Sequence, residues 1–307
     1  MVNKIKDPGV GNASAQYAKR MLKPDGSFNL KYHNKPRKFS EAYHFLVNIS
    51  WFYFFSLSFL VGFLINALFA LIYLLIGIEE ITALSGSPVQ DFFNAFFFST
   101  QTFTTVGYGA LAPNGWLSGM VASIESFLGL MLFAFVTGLI YGRFSKPRSA
   151  VRFSKYLVLR DFKQHRAIMF RLVNDRKSVM IQPKISVTLM LSQPNDSGIY
   201  ENNFYLLNLE RDAIDYLPTT WTIVHELDDE SPLSNYSNEA IKKLHGELII
   251  MISYYDESFN QEVHKIHSYD LKEVQVDFKF VKAQNFNPEG TLILDYDLFD
   301  AIEPHKS

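Results

Sequence analysis

The sequence predicts a membrane protein with two spanning helices flanking a re-entrant segment, followed by an all-β sandwich. Lysine and arginine are absent between Lys38 and Arg143, although both borders of that stretch are crowded with them. Two long apolar runs lie inside this gap, and beyond residue 157 the texture turns to short runs of alternating apolar and polar residues. A soluble domain rarely avoids basic residues over about a hundred positions. The bulk composition, 48% hydrophobic with 28 Phe and a net charge of -2, therefore averages two unlike regions.

The 307 residues include no cysteine, which excludes disulfides, thiol nucleophiles, thiolate zinc sites and iron–sulfur clusters. Residues 1–38 are polar and basic and lack the apolar core of a signal peptide. They read as a cytoplasmic N-terminal segment, and the first span serves as its own insertion signal. In residues 39–48, Phe39, Tyr43, Leu46 and Val47 recur at helical spacing against Ser40, Glu41, His44 and Asn48. Such an amphipathic helix either lies along the inner membrane surface or packs on the soluble domain, and periodicity does not separate the two.

Residues 49–142 read as the transmembrane unit. The run over 49–78 exceeds the roughly 20 residues that a helix needs to cross a bilayer. The second run, 116–141, is interrupted by Glu125 and by Gly119, Gly129 and Gly138. Lys31, Lys35, Arg37 and Lys38 precede the first span, and Arg143, Lys146, Arg148, Arg152 and Lys155 follow the second. By the positive-inside rule both ends face the cytoplasm. The loop between the spans carries Glu79, Glu80 and Asp91 and no basic residue, as an external segment should.

Inside that loop, residues 91–102 (DFFNAFFFSTQT) are apolar enough to enter a membrane and too short to cross it. Ser87 and Pro88 ahead of them supply a cap and a first-turn proline. A short helix going in and a non-helical backbone coming out make a re-entrant loop, tolerated at membrane depth only where it is buried in protein or lines water. The returning backbone is Thr102, Phe103, Thr104, Thr105, Val106, Gly107, Tyr108 and Gly109.

This segment resembles the potassium-channel signature. The resemblance implies four such strands forming stacked cages of carbonyl oxygens that replace the hydration shell of a potassium ion. Thr105, Val106, Gly107 and Tyr108 would supply the carbonyls, with the Thr105 hydroxyl as the innermost ring. Val106 and Tyr108 would pack outward, and the short helix would aim its negative C-terminal end at the axis. Potassium enters as the permeant ion, and no cofactor is implied.

Residues 143–156 form a basic linker, and residues 157–307 the sandwich. Strand-like runs such as 184–189, 204–207 and 274–280 are separated by turn signals at 193–198 and 287–290. A two-span pore followed by RFSKPR (143–148), FRLVNDRKS (170–178) and TIVHELDDESPL (222–233) resembles the inward-rectifier potassium channel family. The likeness runs from Phe39 to Ile302. It implies a homotetramer in the cell membrane with an immunoglobulin-like cytoplasmic sandwich and no nucleic-acid partner.

Departures from the animal pattern resemble the bacterial members and imply a bacterial inner membrane. Gln101 and Leu111 stand where animal members brace the filter with a glutamate and an arginine, and the paired external cysteines are missing. Glu125 is the candidate for a different brace, because a carboxylate inside a span is costly. It either supports the filter from behind or is a protonated or snorkelling group near the outer interface. The resemblance makes Gly129 the hinge of the inner helix, with Gly138 a second weak point. It makes Phe133 the cavity position that is acidic in strongly rectifying relatives, so block by polyamines or magnesium should be weak. Tyr141 becomes the cytoplasmic constriction, and Glu257 a lining residue of the cytoplasmic vestibule. Phe133, Thr137 and Tyr141 share one helical face, which either lines the pore or packs on the first span. Arg37, Lys38, Arg143, Lys146 and Arg148 at the two membrane borders either bind anionic lipids, phosphoinositides among them, or only set topology.

Two other classes fit less well. For an enzyme, the nearest histidine pair, His264 and His267, has strand spacing that points the two rings to opposite sides, and no third ligand stands near. A membrane-anchored sensor with a vestigial pore would have no evident need for so complete a filter motif.

Overall fold

The computed structural model describes residues 3–15, 19–23, 26–34, 40–147, 149–176 and 178–305. Arg37, Lys38 and Arg148, and with them Phe39 at the start of the amphipathic helix, lie outside the described residues. The chain divides into two compact units, one of residues 34–146 and one of residues 1–33 with 147–307.

The first unit is helical. An interfacial helix, Ser40–Asn48, precedes an outer helix, Trp51–Ile76, whose first turn is capped by the Ser50 side chain. Both the outer helix and the inner helix, Trp116–Phe144, are long and apolar enough to cross a membrane. Between them the re-entrant helix, Pro88–Phe103, starts on proline at its first position, where a missing N–H costs nothing. Asp91 accepts a bond from the Ser85 amide at 3.0 Å and fixes the entry to this helix. Phe69, Ala70, Tyr73, Ala95, Phe98 and Ala122 form the shared core of the three helices. The inner helix begins at Gly115, and the Glu80 carboxylate takes the Ser118 amide at 3.1 Å, so a negative charge sits at the positive end of the helix.

The second unit is a sandwich of two sheets. In the larger sheet, strand Met180–Pro194 lies between Tyr200–Leu206 and Gly246–Asp256, and Gly246–Asp256 pairs in turn with Gln261–Asp270. In the smaller sheet, His165–Asn174 pairs with Val158–Phe162, Thr220–Glu226 and Val151–Phe153. Alternation decides which side chains meet. Ile185, Val187 and Leu189 sit opposite Ile252, Ile250 and Leu248, all of them buried, and face Ile168, Phe170 and Leu172 across the core. Burial of each such side chain contributes about 1.5–3 kcal/mol.

Two boundaries differ from the sequence-based expectation. Strand Val151–Phe153 pairs with residues 172–174, so the sandwich begins inside the stretch assigned to the linker, and the inner helix runs on to Phe144. Part of the N-terminal segment also belongs to the sandwich unit. Lys4 and Ile5 pair with Tyr205 and Phe204, Leu22 is fully buried, and the Glu247 carboxylate receives the Met21 and Leu22 amides. One apolar anchor in a polar stretch has no periodicity, which is why composition alone does not announce it.

Candidate functional site

The residues after the re-entrant helix have an unusual backbone. Thr105, Gly107 and Gly109 take φ values of 60°, 54° and 82°, so every second residue is left-handed. In an ordinary strand successive carbonyls point to opposite sides, and inverting alternate residues turns them toward one side. The amides have gone to the other side. The Gln101 main-chain carbonyl accepts from Val106 at 2.9 Å and from Gly107 at 3.3 Å, and the Gln101 side-chain oxygen accepts from Tyr108 at 3.2 Å. The Gln101 amide nitrogen then donates to the Leu111 carbonyl at 3.0 Å, closing the loop on itself. A single residue thus serves three consecutive N–H groups and leaves the carbonyls free. Leu111, mute as a side chain, takes part through its backbone.

Behind this segment lies a buried polar cluster. Glu125 of the inner helix is fully buried, and it accepts the Tyr73 hydroxyl of the outer helix at 2.6 Å and the Ser99 hydroxyl of the re-entrant helix. Ser99 also lies 3.0 Å from the Asn66 side-chain oxygen. One carboxylate therefore ties all three helices together, and its partner Ser99 stands two residues before Gln101 in the re-entrant helix. Tyr73, Ser99 and Asn66 were not singled out from sequence. Asn66, the sole amide in the first apolar run, was the available signal.

Gly129 has a packing reason for being glycine. A Cβ there would run into the Phe103 carbonyl at the end of the re-entrant helix. At Gly138 a Cβ would meet nothing. Phe133, Thr137 and Tyr141 are all exposed in the single subunit, Phe133 and Tyr141 each at 74%, so this face does not pack on the first span. Thr137 spends its hydroxyl on the Phe133 carbonyl at 2.8 Å. Val106 and Tyr108 are likewise open in the single subunit.

The cationic border is less uniform than its charge count suggests. The Arg143 guanidinium is buried, donates to the Leu46 and Ile49 carbonyls at 2.5 and 2.6 Å, and lies over the Trp51 and Phe54 rings. It clamps the end of the interfacial helix to the inner helix, and Tyr43 packs against Gly142 beside it. Lys146 is exposed and bonds to the Asn48 side chain. In the sandwich, Glu257 is exposed in the turn after strand Gly246–Asp256, and neighbouring Asp256 is buried with Arg176 at 3.6 Å. His267 stacks on Phe153 and meets Tyr269 edge-on, and burial, then Arg20 and Lys265, push its pKa down to about 4. His264 is exposed.

Comparison with known proteins agrees with this geometry in both units. Residues 46–146 match the ion channel family, and residues 151–306 match the inward rectifier potassium channel C-terminal domain. The inward rectifier potassium channel Kirbac3.1 of Paramagnetospirillum magnetotacticum is 33% identical over 285 residues, which covers 92% of this chain and 95% of that relative. The chain belongs to the inward-rectifier potassium channel family, as a bacterial-type member with a membrane pore and a cytoplasmic β-sandwich.

Proposed function

We propose that four copies of this chain conduct potassium through carbonyl cages formed by Thr105, Val106, Gly107 and Tyr108, with the Thr105 hydroxyl as the innermost ring. The protein is an inward-rectifier potassium channel and not an enzyme. What supports the residue-level reading is the backbone itself: Thr105, Gly107 and Gly109 are left-handed, and the three successive amides of Val106, Gly107 and Tyr108 are turned to Gln101. Both termini face the cytoplasm of a bacterial inner membrane, a reading that the basic borders support.

The cytoplasmic gate is the ring of Tyr141 side chains. Four aromatic groups around a narrow axis exclude water, and a hydrated cation does not cross a dewetted constriction cheaply. Gly138 leaves the inner helix free to bend just before that ring, and Gly129 bends only where the Phe103 carbonyl allows. Rectification is weak because Phe133 places no charge in the cavity for magnesium or polyamines. Anionic lipids, phosphoinositides among them, bias the gate through Arg37, Lys38, Lys146 and Arg148. Arg143 supports that surface from beneath, since its guanidinium is already committed to Leu46 and Ile49. Flux that ignores added phosphoinositide would reject the lipid reading.

Gly107→Ala tests the filter. A Cβ at Gly107 meets nothing within 4 Å in the subunit, so the cost is conformational. It is about 1–2 kcal/mol per copy for a left-handed L-residue, paid four times on one axis. Selective potassium flux into liposomes should disappear while the tetramer persists in detergent. Unaltered flux would remove Gly107 from the ion path.

A further inference from the structure

The polar cluster between the three membrane helices asks for more protons than its hydroxyl groups hold. Glu125, Ser99, Tyr73 and Asn66 all lie in the helical unit, the first three fully buried and Asn66 6% exposed. The Tyr73 hydroxyl serves Glu125 Oε2 at 2.6 Å. The Ser99 hydroxyl stands against two oxygens at once, Glu125 Oε1 and, at 3.0 Å, Asn66 Oδ1. A hydroxyl carries one proton and donates once. Turning the Asn66 amide round does not help: its nitrogen donates to the Gly62 carbonyl at 2.7 Å, and an oxygen in that place would set two acceptors against each other. With an ionised carboxylate, therefore, one of the two oxygens facing Ser99 is left without a proton.

Charge leads to the same point. Residues 49–142 contain no lysine, arginine or histidine, so the pore segment offers no cation to an ionised Glu125. Arg143 lies 18 residues further along the inner helix, about 27 Å away at 1.5 Å per residue, and is bonded to Leu46 and Ile49. Tyr73 is the titratable side chain that the described contacts bring to Glu125. Among the other acids of the segment, Glu80 and Asp91 take the Ser118 and Ser85 amides, and Glu79 stands beside Glu80 in the turn after the outer helix. An unpaired charge is so costly away from water that a buried carboxyl takes up a proton instead. A proton on Oε1 settles both counts: Glu125 donates to Ser99, Ser99 to Asn66, and Tyr73 to Oε2.

We infer that Glu125 is kept as a neutral carboxylic acid, whose proton directs a hydrogen-bond chain from the inner helix through Ser99 of the re-entrant helix to Asn66 of the outer helix, and that Ser99, Asn66 and Tyr73 are positioning residues of the filter. Ser99 stands two residues before Gln101, whose oxygens hold the Val106, Gly107 and Tyr108 amides, so the chain fixes the helix from which the filter hangs. The positioning role rests on the proposed filter at Thr105 to Tyr108; the place of the proton does not.

The test uses the purified tetramer and two readouts. In the infrared difference between the unmodified protein and Glu125→Gln at neutral pH, a carboxylic-acid carbonyl band should belong to the unmodified protein, because exposed carboxyl groups are ionised there. Carboxylate bands in its place would overturn the proposal. In liposomes, Glu125→Gln presents an N–H to Ser99 and a carbonyl to Tyr73, so potassium uptake and potassium-over-sodium preference should stay within about twofold. Glu125→Leu, Ser99→Ala and Asn66→Leu each break the chain and should lower the preference about fivefold. Equal damage by Glu125→Gln and Glu125→Leu in tetramers that stay assembled would overturn the chain, and an unchanged preference in Ser99→Ala and Asn66→Leu would overturn the positioning role. Absence of any preference in the unmodified protein would instead refute the filter reading, and the infrared band then decides the place of the proton by itself.

Discussion

Gln101, outside the proposed filter, makes the hydrogen bonds that hold it. Its main-chain oxygen and side-chain amide hold Val106, Gly107, Tyr108 and Leu111 in one arrangement, with no ion pair. Gln101→Leu keeps the volume and the main-chain bonds but leaves the Tyr108 amide and the Leu111 carbonyl without partners. Both groups are only partly buried, so water can take part of the lost bonds and the loss is one of geometry more than of stability. Potassium-over-sodium preference should fall at least tenfold in bilayer recordings of this variant, and Gln101→Glu, which keeps the acceptor for Tyr108, should lose less. A second residue-scale test lies in the sandwich. His267 titrates near 4 when folded and near 6.5 when unfolded, mainly because burial penalises the imidazolium. Between these values the unfolded chain binds a proton that the folded domain does not, so stability is intact above about pH 6.5 and is lost as the pH falls toward 4. The loss attributable to this residue approaches about 3 kcal/mol per subunit. Thermal midpoints of the solubilised tetramer should drop over that window, and His267→Phe should flatten the drop; an identical pH profile in the variant would contradict the assignment.

At the scale of elements, the inner helix separates what sequence makes legible from what it hides. The apolar length of the helix and the i, i+4, i+8 stripe are visible in composition and spacing, and the stripe is open in the single subunit. Hidden were contacts that depend on which helices cross where. Gly129 is the hinge that the resemblance implies, and the folded chain adds that a Cβ there would run into the Phe103 carbonyl. Arg143 reads as one more border cation and proves to cap the interfacial helix. Glu125 was legible as an expensive charge, but its partners Tyr73 and Ser99 lie 52 and 26 residues away in the chain. The stripe also carries a prediction. Phe133→Asp would place four carboxylates around one axis, where each attracts a polycation across a short low-dielectric distance. Spermine block from the cytoplasmic side should strengthen at least tenfold and become steeper with voltage. Unchanged block would take Phe133 off the pore-facing stripe.

For the whole molecule, the gap in lysine and arginine from Lys38 to Arg143 and the change of texture near residue 157 were enough to announce two units. The N-terminal strand was not legible, because Lys4 and Ile5 gain their meaning only from the edge at Phe204 and Tyr205. The filter was legible as a motif, and its mechanism was not: alternating left-handed residues and the convergence of amides on Gln101 are properties of the folded backbone. That backbone makes one claim central to the rest, that the unmodified tetramer distinguishes potassium from sodium by carbonyl coordination. The direct measurement is the reversal potential of purified tetramers in a planar bilayer, with potassium on one side and sodium on the other. A reversal potential close to the potassium equilibrium potential, corresponding to at least about a hundredfold preference, is the predicted result; reversal near zero, with both cations carrying current equally, would contradict it.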